Sequence, residues 1–108
     1  MSIHEPIRSM AILDAHPGHE EDTIQLLRDF YTSIHLKGYS SDLLYRDSKT
    51  PSRFIHIRVW KSDASRAEAQ QDPDVHRYWV RLAEICTITT IYEELEPIFS
   101  TYQGATGE

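Results

Sequence analysis

Hydrophobic and polar residues alternate most sharply in RFIHIRVWKS, residues 53–62. Side chains along a strand point to opposite faces in turn, so Ile55, Ile57 and Val59 share one face while Phe54, His56, Arg58 and Trp60 share the other. The aliphatic set reads as the core face, and the mixed set then needs some other cover. Upstream, IRSMAILD (7–14) sorts in the same way: Ile7, Ala11 and Leu13 on one side, Met10 and Ile12 on the other, up to the turn signal HPG.

Helical spacing comes next. The acidic run Glu20, Glu21, Asp22 suits a helix N-terminus, where negative charge meets the positive end of the helix dipole. Ile24, Leu27, Tyr31 and Ile34 recur at helical intervals with Phe30 beside them, and Gly38 is a natural stop. DLLYRD (42–47) and the strand from 53 flank SKTPS, whose Pro51 and serines favour a turn, which predicts an antiparallel hairpin. Ser62 or Asp63 can cap a short helical run through ASRAEAQQ. Asp72 before Pro73 predicts a capped amphipathic helix striped by Val75, Trp79, Leu82 and Cys86. TITTIYEELE (87–96), rich in β-branched residues, reads as the last strand, and the tail is expected to fray beyond Tyr102.

Strand, helix, strand, strand, helix, strand is the order of a ferredoxin-like α+β domain (βαββαβ), with one four-stranded antiparallel sheet and its helices on one face. Two helices cover only one side of such a sheet. Phe54 and Trp60, joined by apolar neighbours, would leave a patch larger than a soluble monomer shows, so a second copy is expected over it.

The 108 residues predict a single domain, with an ordered core at about 7–97. A formal charge of −6 repels phosphate backbones and anionic lipid, which argues against nucleic-acid and membrane partners. The start, MSIHEP, shows no leader pattern, and no apolar run approaches the roughly 20 residues that span a bilayer. One cysteine, Cys86, cannot form an internal disulfide and is expected as an inert buried thiol in a reducing cytoplasm. His16 and His19 in HPGH lack the further ligands that a zinc site needs, so no metal site is predicted. Glycine-rich phosphate loops and nucleophile elbows are absent from the sequence.

HPGHEEDTIQLL (16–27), LLYRD (43–47), SRFIHIRVWKS (52–62), DPDVHRYW (72–79) and YEELEP (92–97) stand in an order and at spacings that resemble the antibiotic biosynthesis monooxygenase family of dimeric α/β barrels. The resemblance covers about residues 7–97. It implies a homodimer whose two sheets pack face to face, with a ligand cavity in each subunit between sheet and helices. With the aliphatic face of 53–60 assigned to the helices, Phe54, His56, Arg58 and Trp60 become expected dimer-interface residues, Arg58 meeting a carboxylate of the partner.

Several members of that family oxidise quinol-like or anthrone-like aromatics with O2 and no cofactor. A deprotonated, electron-rich phenol can itself pass an electron to oxygen, so the protein supplies a base, donors for the oxyanion and a dry pocket. On this reading the protein is a cofactor-independent monooxygenase of a small aromatic, with His76 or His35 as base. Tyr31 and Tyr78 would hold oxygen atoms, and Trp79, Leu27 and Phe30 would form the wall. The plainer reading of the same residues is a surface histidine and ordinary aromatic packing, and a non-catalytic dimeric binding or stress-related module would fit the same fold. The resemblance extends to haem-degrading members, which typically use an asparagine on the first strand, a tryptophan between the third strand and the last helix, and a haem-ligating histidine on that helix. Haem degradation is disfavoured here, because the chain has no asparagine, Ala69 lies near the place of that tryptophan, and Trp79 near that of the histidine.

Overall fold

Asp72 takes the capping role that its place before Pro73 suggests. In the computed structural model, which describes residues 6–101, its carboxylate accepts a hydrogen bond from the Asp74 backbone N–H at 2.8 Å. The same carboxylate accepts from Lys37 Nζ at 2.7 Å and from the Tyr39 hydroxyl at 2.9 Å. Those contacts tie the end of helix α1 (Glu20–Leu36) to the start of helix α3 (Pro73–Ile85). Ser62 caps the short helix α2 (Asp63–Gln71) by accepting from the Ser65 N–H at 3.0 Å. Gly38 stops α1 with φ +78, a left-handed conformation that L side chains rarely adopt.

Strands β1 (Arg8–Ala15), β2 (Ser40–Arg46), β3 (Arg53–Trp60) and β4 (Cys86–Leu95) form one sheet in the order β2-β3-β1-β4. Every pairing is antiparallel, including the expected β2–β3 hairpin. With helices α1, α2 and α3 against it, this is the ferredoxin-like α+β fold that the element order implies. Cys86 opens β4 instead of continuing the helix; it is buried beside Thr23, and burial pushes its thiol pKa up. The predicted fraying beyond Tyr102 lies outside the described residues.

Cross-strand register decides which face of β3 meets the helices, and it reverses the assignment made from polarity. Directly opposed residues point to the same side of a sheet. Phe54 stands opposite Leu13 and His56 opposite Ala11, and both of those β1 residues are in the core under the helices. Phe54, His56, Arg58 and Trp60 are accordingly 1–7% exposed within a single chain. They are core and cavity residues, not the dimer contacts predicted above. Their polar atoms are tolerated because each is paired: Arg58 with Asp42 of its own chain, and His56 with Tyr31. The aliphatic residues Ile55, Ile57 and Val59 lie instead on the uncovered face. There the register sets Ile55 against Ile12 and Tyr45, and Ile57 against Leu43.

Candidate functional site

A cavity of about 410 Å3 lies where β1 and β3 pass beneath α2 and α3. Its wall is largely apolar: Ala11, Trp60, Ala69, Val75 and Trp79, with Met10 and Ile91 beside them. Trp60 is held in place by donating its indole N–H to Ser9 Oγ at 2.9 Å, and the Ser9 hydroxyl donates in turn to the Glu93 carbonyl at 2.6 Å. Exposed Gln70, His76 and Glu93 and half-buried Arg66 supply the polar residues towards solvent. Asp72, as N-cap of α3, fixes the helix turn that carries His76.

The floor holds two paired polar groups. His56 Nδ1 lies 2.6 Å from the Tyr31 hydroxyl, with the two rings stacked at 5.3 Å. His56 is 3% exposed, yet it lines the cavity, and its Nε2 has no partner among the described residues. Burial, reinforced by the nearby Arg58 charge, drives the imidazole pKa down to about 3, so the ring is neutral in the folded chain. Burial, with the Asp42 charge adding to it, pushes the Tyr31 hydroxyl pKa well above that of a free tyrosine. Beside them Arg58 grips Asp42, Nε to Oδ1 at 2.6 Å and Nη2 to Oδ2 at 3.4 Å. The guanidinium lies over the rings of Phe30, Trp60 and Trp79 at 4.6, 5.4 and 6.0 Å. Arg58 thus braces both indoles of the cavity wall from behind.

The sequence profile described as antibiotic biosynthesis monooxygenase matches residues 6–81. The chain belongs to that family. Solved structures of similar shape include three from bacteria. A Deinococcus radiodurans protein named as a candidate antibiotic biosynthesis monooxygenase is 21% identical, with a TM-score of 0.72 over 89% of this chain and 99% of the other. A Pseudomonas aeruginosa protein is 21% identical, with a TM-score of 0.71 over 92% and 100%. A variant of SnoaB, a cofactor-independent oxygenase from Streptomyces nogalater, is 12% identical, with a TM-score of 0.74 over 88% and 98%. At these identities the likeness is one of fold. None of the curated proteins compared with the sequence matches it.

Within this family member, the residues singled out from sequence divide into three groups. His76 and Trp79 line the cavity, and Tyr31 reaches it through His56. Leu27 and Phe30 are fully buried and do not line it; Phe30 is the platform beneath Arg58, so the wall role falls to Trp60. His35 and Tyr78 lie elsewhere. His35 donates from Nδ1 to the Ser40 carbonyl at 3.2 Å in a recess shared with Gly38 and Lys61. Tyr78, one residue and so about 100° around the helix from Trp79, turns onto Phe30 at 4.8 Å and borders a recess with Asp74 and Arg77. Neither carries a role in the cavity. Sequence reasoning missed His56 and Trp60 as site residues, although the alternation in β3 had marked both.

His16 and His19 take separate partners, Thr87 and Asp22, and among the described residues no three His, Cys, Asp or Glu side chains converge as metal ligands. No described helix is long and apolar enough to cross a membrane.

The depressed His56 pKa makes stability depend on pH. An unfolded histidine titrates near 6.5, whereas the folded ring stays neutral down to about 3. Between those values the unfolded chain binds the extra proton, so stability is complete above about pH 6.5 and falls as the solution is acidified. Urea unfolding should lose on the order of 1 kcal/mol per pH unit from pH 6.5 to 5, and His56→Gln should flatten that slope. A slope that persists unchanged in the variant would assign the proton uptake to other groups.

Proposed function

We propose that this chain is a homodimeric, cofactor-independent monooxygenase of a small, electron-rich aromatic such as a quinol or anthrone. The observation that carries the reading is the cavity itself. It is of ligand size, walled by Trp60 and Trp79, with a buried neutral imidazole at its floor and a second imidazole, His76, at its mouth. Membership of the family and the shared fold of a cofactor-independent oxygenase support it.

The chemistry follows from those groups. His76 removes a proton from the bound phenol or enol, His56 Nε2 holds a substrate oxygen, and the two indoles fix the ring plane. The resulting anion passes an electron to O2, and the radical pair closes a carbon–oxygen bond to give a hydroperoxide. Loss of water then leaves one oxygen atom as a carbonyl and the other in H2O. Substrate electrons balance the reduction, so the step needs no further reductant. A lone buried thiol, Cys86, fits a reducing cytoplasm.

Oxygen uptake by metal-stripped protein against hydroquinones, anthrones and catechols, corrected for protein-free autoxidation, tests the activity. Protein-dependent uptake with one atom of labelled oxygen in the product is expected. Absence of uptake across that panel would favour a binding module on the same fold.

The second copy belongs on the uncovered sheet face. Ile12, Ile55, Ile57, Val59, Leu43, Tyr45 and Tyr92 form a continuous apolar surface there, with Leu43, Tyr45 and Tyr92 about half exposed in one chain. The chain should sediment as a dimer at micromolar concentration and Ile57→Asp as a monomer, since the charge would be buried against its own copy. A monomeric wild type would contradict the assignment.

A further inference from the structure

The Tyr31–His56 pair decides what the cavity floor can recognise. The Tyr31 hydroxyl can give its proton to His56 Nδ1 at 2.6 Å, or accept from an Nδ1–H while donating to the Leu43 carbonyl at 3.4 Å. A separation of 2.6 Å is shorter than N–H···O bonds usually run and suits an O–H donor, the Leu43 contact is long, and stacking of the two rings at 5.3 Å keeps the hydroxyl on the nitrogen. Nδ1 is then an acceptor, so a neutral imidazole must carry its only proton on Nε2, the nitrogen with no partner among the described residues, in a residue that lines the cavity.

We infer that Tyr31 is a positioning residue that locks His56 as an Nε2–H donor, so that the atom seated on the cavity floor is an acceptor oxygen, a carbonyl or a phenolate, and not a hydroxyl offering its proton. This rests on the oxygenation reading and narrows it. His56 serves as the oxyanion donor, proton abstraction is left to His76, and the favoured substrate presents a ring oxygen that holds negative charge as the reaction proceeds. A buried Arg58 beside the ring works in the same direction, because a neighbouring positive charge opposes a second proton on the imidazole.

Nitrogen-15 NMR of the ligand-free protein reads the tautomer directly, and Tyr31→Phe retains the ring that stacks on His56. In the wild type, His56 Nε2 is expected in the protonated range and Nδ1 in the bare range. In Tyr31→Phe the separation should collapse as both tautomers fill, with oxygen uptake falling roughly fivefold, about the worth of one neutral hydrogen bond. A wild-type proton on Nδ1, or a pattern unchanged in Tyr31→Phe, overturns the inference. The tautomer is measured without substrate, so a chain with the proton on Nε2 that consumes no oxygen would keep this inference and sink the oxygenase reading. Uptake with the proton on Nδ1 would do the reverse.

Discussion

Asp42→Ala is expected to cost about 3–5 kcal/mol of folding stability, because it leaves the Arg58 cation buried with no counter-charge. The geometry makes the pair interior: its side chains are 3% and 0% exposed, at 2.6 Å, under Phe30, Trp60 and Trp79. Water cannot take the place of the carboxylate there without opening the cavity wall. Urea unfolding at neutral pH measures the loss, with both proteins at one concentration since the stability of the proposed dimer would depend on it. Replacing both partners, Asp42→Leu with Arg58→Met, should recover most of the loss, as the unpaired charge is then gone. A cost below about 1 kcal/mol for Asp42→Ala would mean that the pair behaves like one on the surface.

The same pair explains where the sequence misleads. Element order, the Asp72 and Ser62 caps, the β2–β3 hairpin and the stripes of α1 and α3 all follow from local spacing, and each stands in the structure. The face of β3 does not follow. Ile55, Ile57 and Val59 look like core, and His56 and Arg58 do not, unless their partners are known. Those partners, Tyr31 and Asp42, lie 25 and 16 residues away on other elements, so no periodicity within β3 reveals them. The proposed dimer would invert the rule again, since an aliphatic face can be reserved for a second copy while paired polar groups go inside.

Candidate site residues were legible to a similar depth. His76 and Trp79 could be found because the edge of an amphipathic stripe is where a helix borders a pocket. His35 shares the face of Tyr31 one turn on, yet the helix carries it past the cavity to the side of Ser40. That outcome depends on how α1 lies over the sheet, which spacing along one helix cannot supply.

His76→Ala is expected to lower oxygen uptake by about 10²–10⁴-fold, the usual worth of a positioned acid–base group. Its imidazole is exposed at the cavity mouth and bonds no described side chain, so stability should stay within about 0.5 kcal/mol of the wild type. That separation of activity from folding is what distinguishes His76 from Arg58, Asp42 and Phe30, whose loss would remove both together. His35→Ala is the internal control. It removes an exposed histidine of the same chain from a different recess, and should leave uptake unchanged. Equal losses in the two variants would point to a general effect of charge or solubility. A loss of only a few-fold in His76→Ala would move proton abstraction to solvent, leaving the cavity to act through the donor at His56 and the two indoles that hold the ring.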